Sequence, residues 1–302
     1  YFKDASVLRF SPKVEVHPSF VQRALATKRI LDRVNSGSGS TVGTFTISQA
    51  KELEIPLPPL AEQKRIAAVL DAADALRAKR RESLGQLDTL LQSTFLDMFG
   101  DPVTNPKGWD VVPLGHLCRE KAAYGSGAAA TPFDPSMPRY VRITDVTDTG
   151  DLNEDKKGAD LSEKEVEKYK LHEGDILFAR SGATVGKTYM HRSSNGFCVY
   201  AGYLIRFRLK EALILPEILF RYTHTKAYWR WIDSQARAVA QPNINAQMYS
   251  EMPMVLPPLD LQRRFAAMVE SIERQKARLR AHLAELDTLF ASLQDRAFKG
   301  EL

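Results

Sequence analysis

The sequence predicts an α+β chain in which two long helices frame a mixed α/β domain, and three observations carry that expectation. Pro58-Pro59-Leu60 returns near the far end of the chain as Pro257-Pro258-Leu259, and the likeness continues without a gap, with Gln63 falling on Gln262, Arg65 on Arg264, and Leu87-Asp88-Thr89-Leu90 on Leu286-Asp287-Thr288-Leu289. After each copy, apolar residues recur at coiled-coil spacing: Phe265, Ile272, Leu279, Leu286 and Leu293 in the second, with Ile66, Val69, Leu70, Ala73 and Leu76 on the same stripe in the first. Between the copies, short strand-like runs are separated by Gly, Pro and Asp.

Taken in order, residues 1–56 read as the remnant of a first domain. Val7-Leu8-Arg9-Phe10 has strand character, and His17-Pro18-Ser19 starts a helix with Phe20, Val21, Leu25, Ile30, Leu31 and Val34 as its apolar positions. Leu204-Ile205-Arg206-Phe207, followed by a helix from Leu215-Pro216-Glu217, repeats that order at almost the same offset. Residues 1–43 therefore correspond to the last third or so of a domain seen whole later. Asn35-Ser36-Gly37-Ser38-Gly39-Ser40 is a flexible loop by composition, either a natural surface loop or an engineered joint.

Residues 57–101 hold the first long helix. Prolines favour an extended chain before them and are excluded from a helix interior, so it begins near Leu60, as its counterpart begins near Leu259. At about 1.5 Å per residue, roughly 35 helical residues span on the order of 50 Å, the size of a rigid spacer. Phe99-Gly100-Asp101-Pro102 is the stop. Residues 102–256 form the mixed domain, opening at Gly108-Trp109, with strands expected over 109–114, 139–146, 175–180, 185–191 and 197–207 and a helix over 216–235. A loop from Ala240 to Asn245 leads back to residues 257–302, the second long helix.

A chain of 302 residues suits two or three domains. It has no apolar run of membrane-spanning length and no secretory leader, and Cys118 and Cys198 stand far apart without metal-ligand spacing, which together lead to an expected cytoplasmic location. The net charge of +5 is modest. Its distribution is uneven: residues 145–175 are acidic, whereas residues 176–253 carry about six more Lys and Arg than Asp and Glu, among them Arg180, Lys187, Arg192, Arg206, Arg208, Arg221, Arg230 and Arg237. Interleaved with Tyr189, Tyr200, Tyr203, Tyr222, Tyr228, Trp229 and Trp231, these cations make either a nucleic-acid footprint or a charged face over an aromatic core.

Gly182 to Thr188 ends like a phosphate-binding loop but has three residues, not four, before Gly186-Lys187, and runs into strand-like Thr188-Tyr189-Met190 where a helix is needed. A tight hairpin presenting Arg180, Ser181, Thr184 and Lys187 fits better, as a site for backbone phosphates or groove edges or simply as a turn. Hydrolase, zinc and dinucleotide motifs are missing, the six histidines are scattered, and the acidic stretch from Asp145 to Asp155 reads as a solvated loop, so the chain is not expected to be an enzyme.

The arrangement as a whole resembles the specificity subunit of type I restriction-modification systems. The matching pieces are the Pro-Pro-Leu segment with Ala61-Glu62-Gln63, Gly108-Trp109, the run from Leu171 to Gly182, Gln241-Pro242-Asn243-Ile244-Asn245, and the second Pro-Pro-Leu helix. The resemblance implies two target-recognition domains, each reading one half of a split double-stranded DNA sequence, held apart by two helices packed as an antiparallel coiled coil. Half-sites about one turn, roughly 34 Å, apart suit such a spacer. It also implies methyltransferase subunits that supply S-adenosylmethionine, a motor-nuclease subunit that uses ATP and Mg, and no cofactor in this chain.

Carried over residue by residue, the DNA face comprises Arg142, Thr144, Arg180, Ser181, Thr184, Lys187, Gln241, Asn243 and Asn245, the last three having a turn or helix-entry role as the alternative. Leu60, Gln63, Arg65, Leu259, Gln262 and Arg264 fall to the helical junction or the methyltransferase interface. One departure stands out: one recognition domain is complete and the other is a remnant, as expected either of a fragment of a longer chain or of a half-subunit that pairs with a second copy. The competing reading is a coiled-coil assembly scaffold that binds no DNA.

Overall fold

The computed structural model describes residues 11–36, 46–236 and 243–302. The expected strand at Val7–Phe10, the glycine-serine stretch from Gly37 onward, and Gln241 with Pro242 lie outside the described residues. The chain divides into two compact units, residues 1–87 with 274–302 and residues 88–273.

Helices α1 (Pro18–Leu25), α2 (Lys28–Ser36) and α3 (Ile47–Lys51) precede the 40-residue helix α4 (Leu60–Phe99). The single helix expected after His17 is broken because the Thr27 hydroxyl donates to the carbonyl of Ala24 at 2.8 Å and takes over the end of α1. Helix α3 carries a capping box in which Thr46 and Gln49 satisfy each other's backbone N–H groups, a signal that sits in the sequence as Thr-x-x-Gln. Helix α4 stops at Gly100, whose φ of +82° places it in the left-handed region, and a Cβ there would meet Pro106 at 2.8 Å. The Trp109 indole then donates to the carbonyl of Phe99 at 2.9 Å, so Gly108-Trp109 serves as a helix-end cap as well as a domain opening.

The mixed unit continues with strands β1 (Asp110–Pro113), β2 (Ala123–Tyr124), β3 (Ala130–Pro132), β4 (Arg139–Val141) and β5 (Lys157–Ala159), then α5 (Glu163–Tyr169) behind a Ser162–Glu165 capping box. Strands β6 (Ile176–Ala179), β7 (Thr188–Met190), β8 (Cys198–Tyr200) and β9 (Leu204–Phe207) follow. Helices α6 (Pro216–Tyr222), α7 (Lys226–Ala236) and α8 (Ala246–Ser250), strand β10 (Pro253–Leu256) and the 41-residue helix α9 (Leu259–Lys299) complete the order.

Three expected elements are shorter than their patterns. The strand over 139–146 ends at Val141, because buried Asp145 accepts the Arg142 backbone N–H at 2.9 Å and curls the chain into a 3₁₀ turn over Ile143–Asp145. The run over 197–207 splits at Gly202, and its halves join different sheets, β8 lying parallel to β4 and β9 antiparallel to β6. The helix over 216–235 breaks where Thr223 and Thr225 turn their hydroxyls onto the carbonyls of Phe220 and Tyr222, both at 2.7 Å.

In this unit the central sheet has the order β2-β9-β6-β7, with every neighbour antiparallel. Both faces are covered, which is why β6 reads as the continuous apolar run Ile-Leu-Phe-Ala. Ile176 and Phe178 face a core shared with Phe207, Tyr228 and Tyr249, whereas Leu177 and Ala179 face Val141, Tyr189 and Tyr200. The first core also takes in Phe95, Phe99 and Phe265, with Phe265 edge-on to both phenylalanines of α4 at 5.6 and 5.3 Å.

In the other unit α4 and α9 run antiparallel. Arg65 donates to the carbonyl of Leu302, while Arg77 reaches Asp287 at 2.6 Å and lies over the Phe290 ring at 4.3 Å. Phe20 of α1 seals Ile66, Ala67 and Leu70 against Phe290 and Ala297, and Arg23 pairs with Asp71 and Asp74. Two helices cover only a narrow stripe of each other, so the flanking Leu76 and Leu289 stay about half exposed.

The repeated glutamine does the same work in both units. Buried Gln262 donates to the carbonyls of Pro257 (2.8 Å) and Leu213 (3.0 Å) and accepts the Leu215 N–H (2.9 Å) at the start of α6. Buried Gln63 donates to the carbonyl of Pro58 (2.8 Å) and accepts the His17 N–H (2.9 Å) at the start of α1. Replacing Gln262 by Ala leaves three backbone groups without this partner, the Pro257 carbonyl among them buried, and is expected to cost about 2–4 kcal/mol, against about 1–2 kcal/mol for Gln63→Ala. Urea unfolding of the two variants checks both the sign and the order.

Candidate nucleic-acid interface

The hairpin expected around Gly182 is present: β6 and β7 are antiparallel, with a 3₁₀ turn over Gly182–Thr184 between them. Arg180 leaves the end of β6 with its backbone fixed on two sides. Its N–H donates to the carbonyl of Tyr203 at 3.1 Å, and its carbonyl accepts the Ile244 N–H at 2.8 Å. Ser181 forms a bridge with Asn243, so the hairpin and the return loop are one piece of backbone.

Beside that bridge lies an open cleft of about 910 Å³, lined by Arg142, Thr144, Arg180, Ser181, Tyr203 and Asn243 and floored by residues 126–130. Gly125 brings its floor close to the end of β8; a Cβ there would meet the carbonyl oxygens of Tyr200 and Ala201 at 2.4 Å. Tyr140 ties the floor down by donating to the carbonyl of Ser126 at 2.8 Å.

The cleft collects five of the expected DNA-face residues, in different states. The Arg142 guanidinium is held by the fully buried Asp145, with Nε at 3.1 Å from both carboxylate oxygens, an ion pair that raises its already high pKa. Asp145 is therefore a buried anchor, not the solvated acid its sequence context suggests. Thr144 is exposed on the 3₁₀ turn, and Asn243 accepts the Arg180 Nε–H at 3.4 Å.

The other described residues of the set lie outside the cleft. Thr184 donates within its own turn to the carbonyl of Ser181, and Lys187 pairs with the highly exposed Asp148 at 2.7 Å. Gly186-Lys187-Thr188 enters β7 directly, so the loop faces no helix N-terminus and lacks the geometry of a phosphate loop. Asn245 caps α8 by accepting the Met248 N–H at 3.0 Å, the helix-entry role. Gln63 and Gln262 belong to the junctions described above, whereas Arg65 and Arg264 are exposed and Leu60 and Leu259 half-buried at the starts of the long helices. Composition alone misses Tyr124, although the Tyr124-Gly125-Ser126-Gly127 run pairs an aromatic with glycines that allow close approach, whereas Tyr203 stands among the interleaved aromatics and does line the cleft.

Much of the basic stretch holds the fold together. Arg208 grips buried Asp175 at 2.9 Å and Glu120 at 3.2 Å, Arg206 lies over the Tyr200 ring at 5.3 Å, and Arg221 pairs with Glu273 at 2.8 Å. Tyr189, Tyr200, Tyr222 and Tyr228 are core residues, so most of the interleaved aromatic pattern reports packing, while Tyr203 and Trp229 are exposed. Burial pushes the Cys118 thiol up to about 12 and that of Cys198 up to about 11, leaving both inert at neutral pH. Among the described residues no group of His, Cys, Asp and Glu is arranged to hold a metal ion, and no helix is long and apolar enough to cross a membrane.

His191, at the end of β7, is buried with Nδ1 at 3.0 Å from the Tyr189 hydroxyl, and burial lowers its pKa below the ordinary 6.5. The unfolded chain then binds the proton that the folded one refuses, so this stability is complete above pH 6.5 and is lost as pH falls towards the folded value. Chemical unfolding at pH 7.5 and 5.5 is expected to show a drop on acidification that is smaller in His191→Gln.

A model of the type I restriction modification DNA specificity domain matches residues 3–86 and 106–287. The specificity subunit of the StySPI type I restriction enzyme from Salmonella potsdam is 24% identical over 315 residues, covering 96% of this chain and 67% of that protein. The EcoKI specificity subunit from Escherichia coli (strain K12) is 23% identical over 317 residues, with the same coverage. The chain thus spans about two thirds of the length of these relatives. In fold it is similar to the type I restriction-modification S subunit from M. genitalium (TM-score 0.55, 17% identity, 93% of this chain and 72% of that one). It is likewise similar to a chain solved for assembly and conformational transition of the type I R-M system (TM-score 0.53, 20% identity, 95% and 72%).

Proposed function

Because this chain belongs to the type I restriction-modification DNA specificity family, we propose that it is a non-catalytic specificity subunit whose unit of residues 88–273 reads one half of a split double-stranded DNA target. The observation that carries this reading is the cleft in which Arg180, Ser181 and Asn243 stand beside Arg142 and Thr144. The Arg180 guanidinium presents paired donors that base edges match, with Asn243 beside it, and the exposed Thr144 hydroxyl suits a phosphate or sugar.

The two long helices act as the spacer between half-sites. Their entry segments, with Leu60, Arg65, Leu259 and Arg264 at the surface, dock methyltransferase subunits. Those partners bring S-adenosylmethionine, and a motor-nuclease subunit brings ATP and Mg; the assembly works in the cytoplasm. A second copy of this chain supplies the other half-site if the methylated motif is palindromic, and a different recognition domain supplies it if the halves are unlike.

Arg180→Ala and Asn243→Ala are each expected to lower affinity for the target duplex about tenfold or more with the unfolding midpoint unchanged. Lys187→Ala, at a cation held by an exposed carboxylate that a phosphate can replace, is expected to weaken all duplexes alike and to reduce the salt slope by about one. Binding isotherms across a salt series check both; full affinity in all three variants, or the absence of any salt-dependent DNA binding, would favour a coiled-coil assembly scaffold.

A further inference from the structure

We propose that Arg180 reads one guanine of the target and that Tyr124 and Asn243 are the positioning residues that aim it, an inference that rests on the DNA-reading role of the cleft. Three segments far apart in sequence converge on this one guanidinium. Its carbon lies 5.0 Å from the centre of the Tyr124 ring, and its Nε–H points to the Asn243 side-chain oxygen at 3.4 Å. Among the described residues no carboxylate pairs with Arg180, and no hydrogen bond occupies its terminal nitrogens. The two groups that remain open are the fork that matches O6 and N7 of guanine.

The positioning residues are themselves fixed. Tyr124 lies in β2 opposite Ile205 of β9, and its hydroxyl accepts the Ala246 N–H at 3.1 Å, so the ring is held at its backbone and at its tip. Asn243 is carried on the bridge to Ser181, the residue next to the arginine it steadies. A phosphate presents acceptors over a wide range of directions, and a freely swinging arginine serves it well. Clamping the side chain between a ring and an amide gives up that freedom before DNA arrives, which helps most where the direction of approach decides the outcome.

The test is selection of a binding motif from a pool of random duplexes by the full chain, followed by measured affinities for duplexes substituted at each guanine of the motif. Arg180→Ala is expected to lose a roughly ten- to hundredfold preference at one guanine while the rest of the motif survives. Tyr124→Ala should lose a smaller part of that same preference and add little in the Arg180→Ala background, and Tyr124→Phe, which keeps the ring but not its bond to Ala246, should restore most of it. Circular dichroism confirms that each variant is folded.

A uniform loss over all sequences in Arg180→Ala, with a shallower salt slope, would make Arg180 a phosphate contact and overturn the guanine assignment while DNA reading stands. Equal losses from Tyr124→Ala with and without Arg180 would overturn the positioning role. If the unaltered chain selects no motif at all, the DNA-reading assignment fails and this inference goes with it.

Discussion

Everything in the two units hangs on how a long helix is entered. A Pro-Pro segment cannot donate backbone hydrogen bonds, and the turns leading into it leave carbonyls and N–H groups that would be buried unpaired. One glutamine per helix resolves this, because its side chain is both donor and acceptor and reaches two strands of chain at once. Gln262 fixes the start of α6 against the start of α9, and Phe265, three residues further on, enters the core of the mixed unit. Gln63 fixes α1 in the same way, with Phe20 as the side chain that follows.

The cleft depends on a second constraint, a sheet buried on both faces whose strand ends cannot move. Arg180, Ser181 and Asn243 stand where β6 ends and Arg142 where β4 ends, and the Tyr124 ring, where β2 ends, lies against Arg180. Polar chemistry is thus placed on short loops, while the strands that carry those loops are locked by Phe178, Phe207 and Tyr249. The crossing of the chain from β8 to β9 at Gly202 adds Tyr203 to the rim.

How much of this is legible in the sequence depends on whether a residue announces its partner. The long helices, their starts at Leu60 and Leu259 and the β6–β7 hairpin follow from periodicity and from proline and glycine, because those signals are local. The breaks at Thr27 and at Thr223–Thr225 do not, since a threonine inside an apolar pattern looks the same whether its hydroxyl faces water or the previous turn. The basic stretch misleads for a similar reason: composition counts Arg206, Arg208 and Arg221 as surface charge, but Glu120, Asp175 and Glu273 lie elsewhere in the sequence and take them inside. Asn243 is recognisable only as part of a polar loop, and its place beside Arg180 depends on a backbone bridge that spans more than sixty residues.

The internal neutralisation of those arginines has a kinetic side. An arginine paired within the fold contributes little to the long-range field, so Arg206, Arg208 and Arg221 add little to electrostatic steering of a duplex. On the reading proposed above, what these three arginines do not supply in encounter the cleft supplies in dwell time, at registers where base edges meet it.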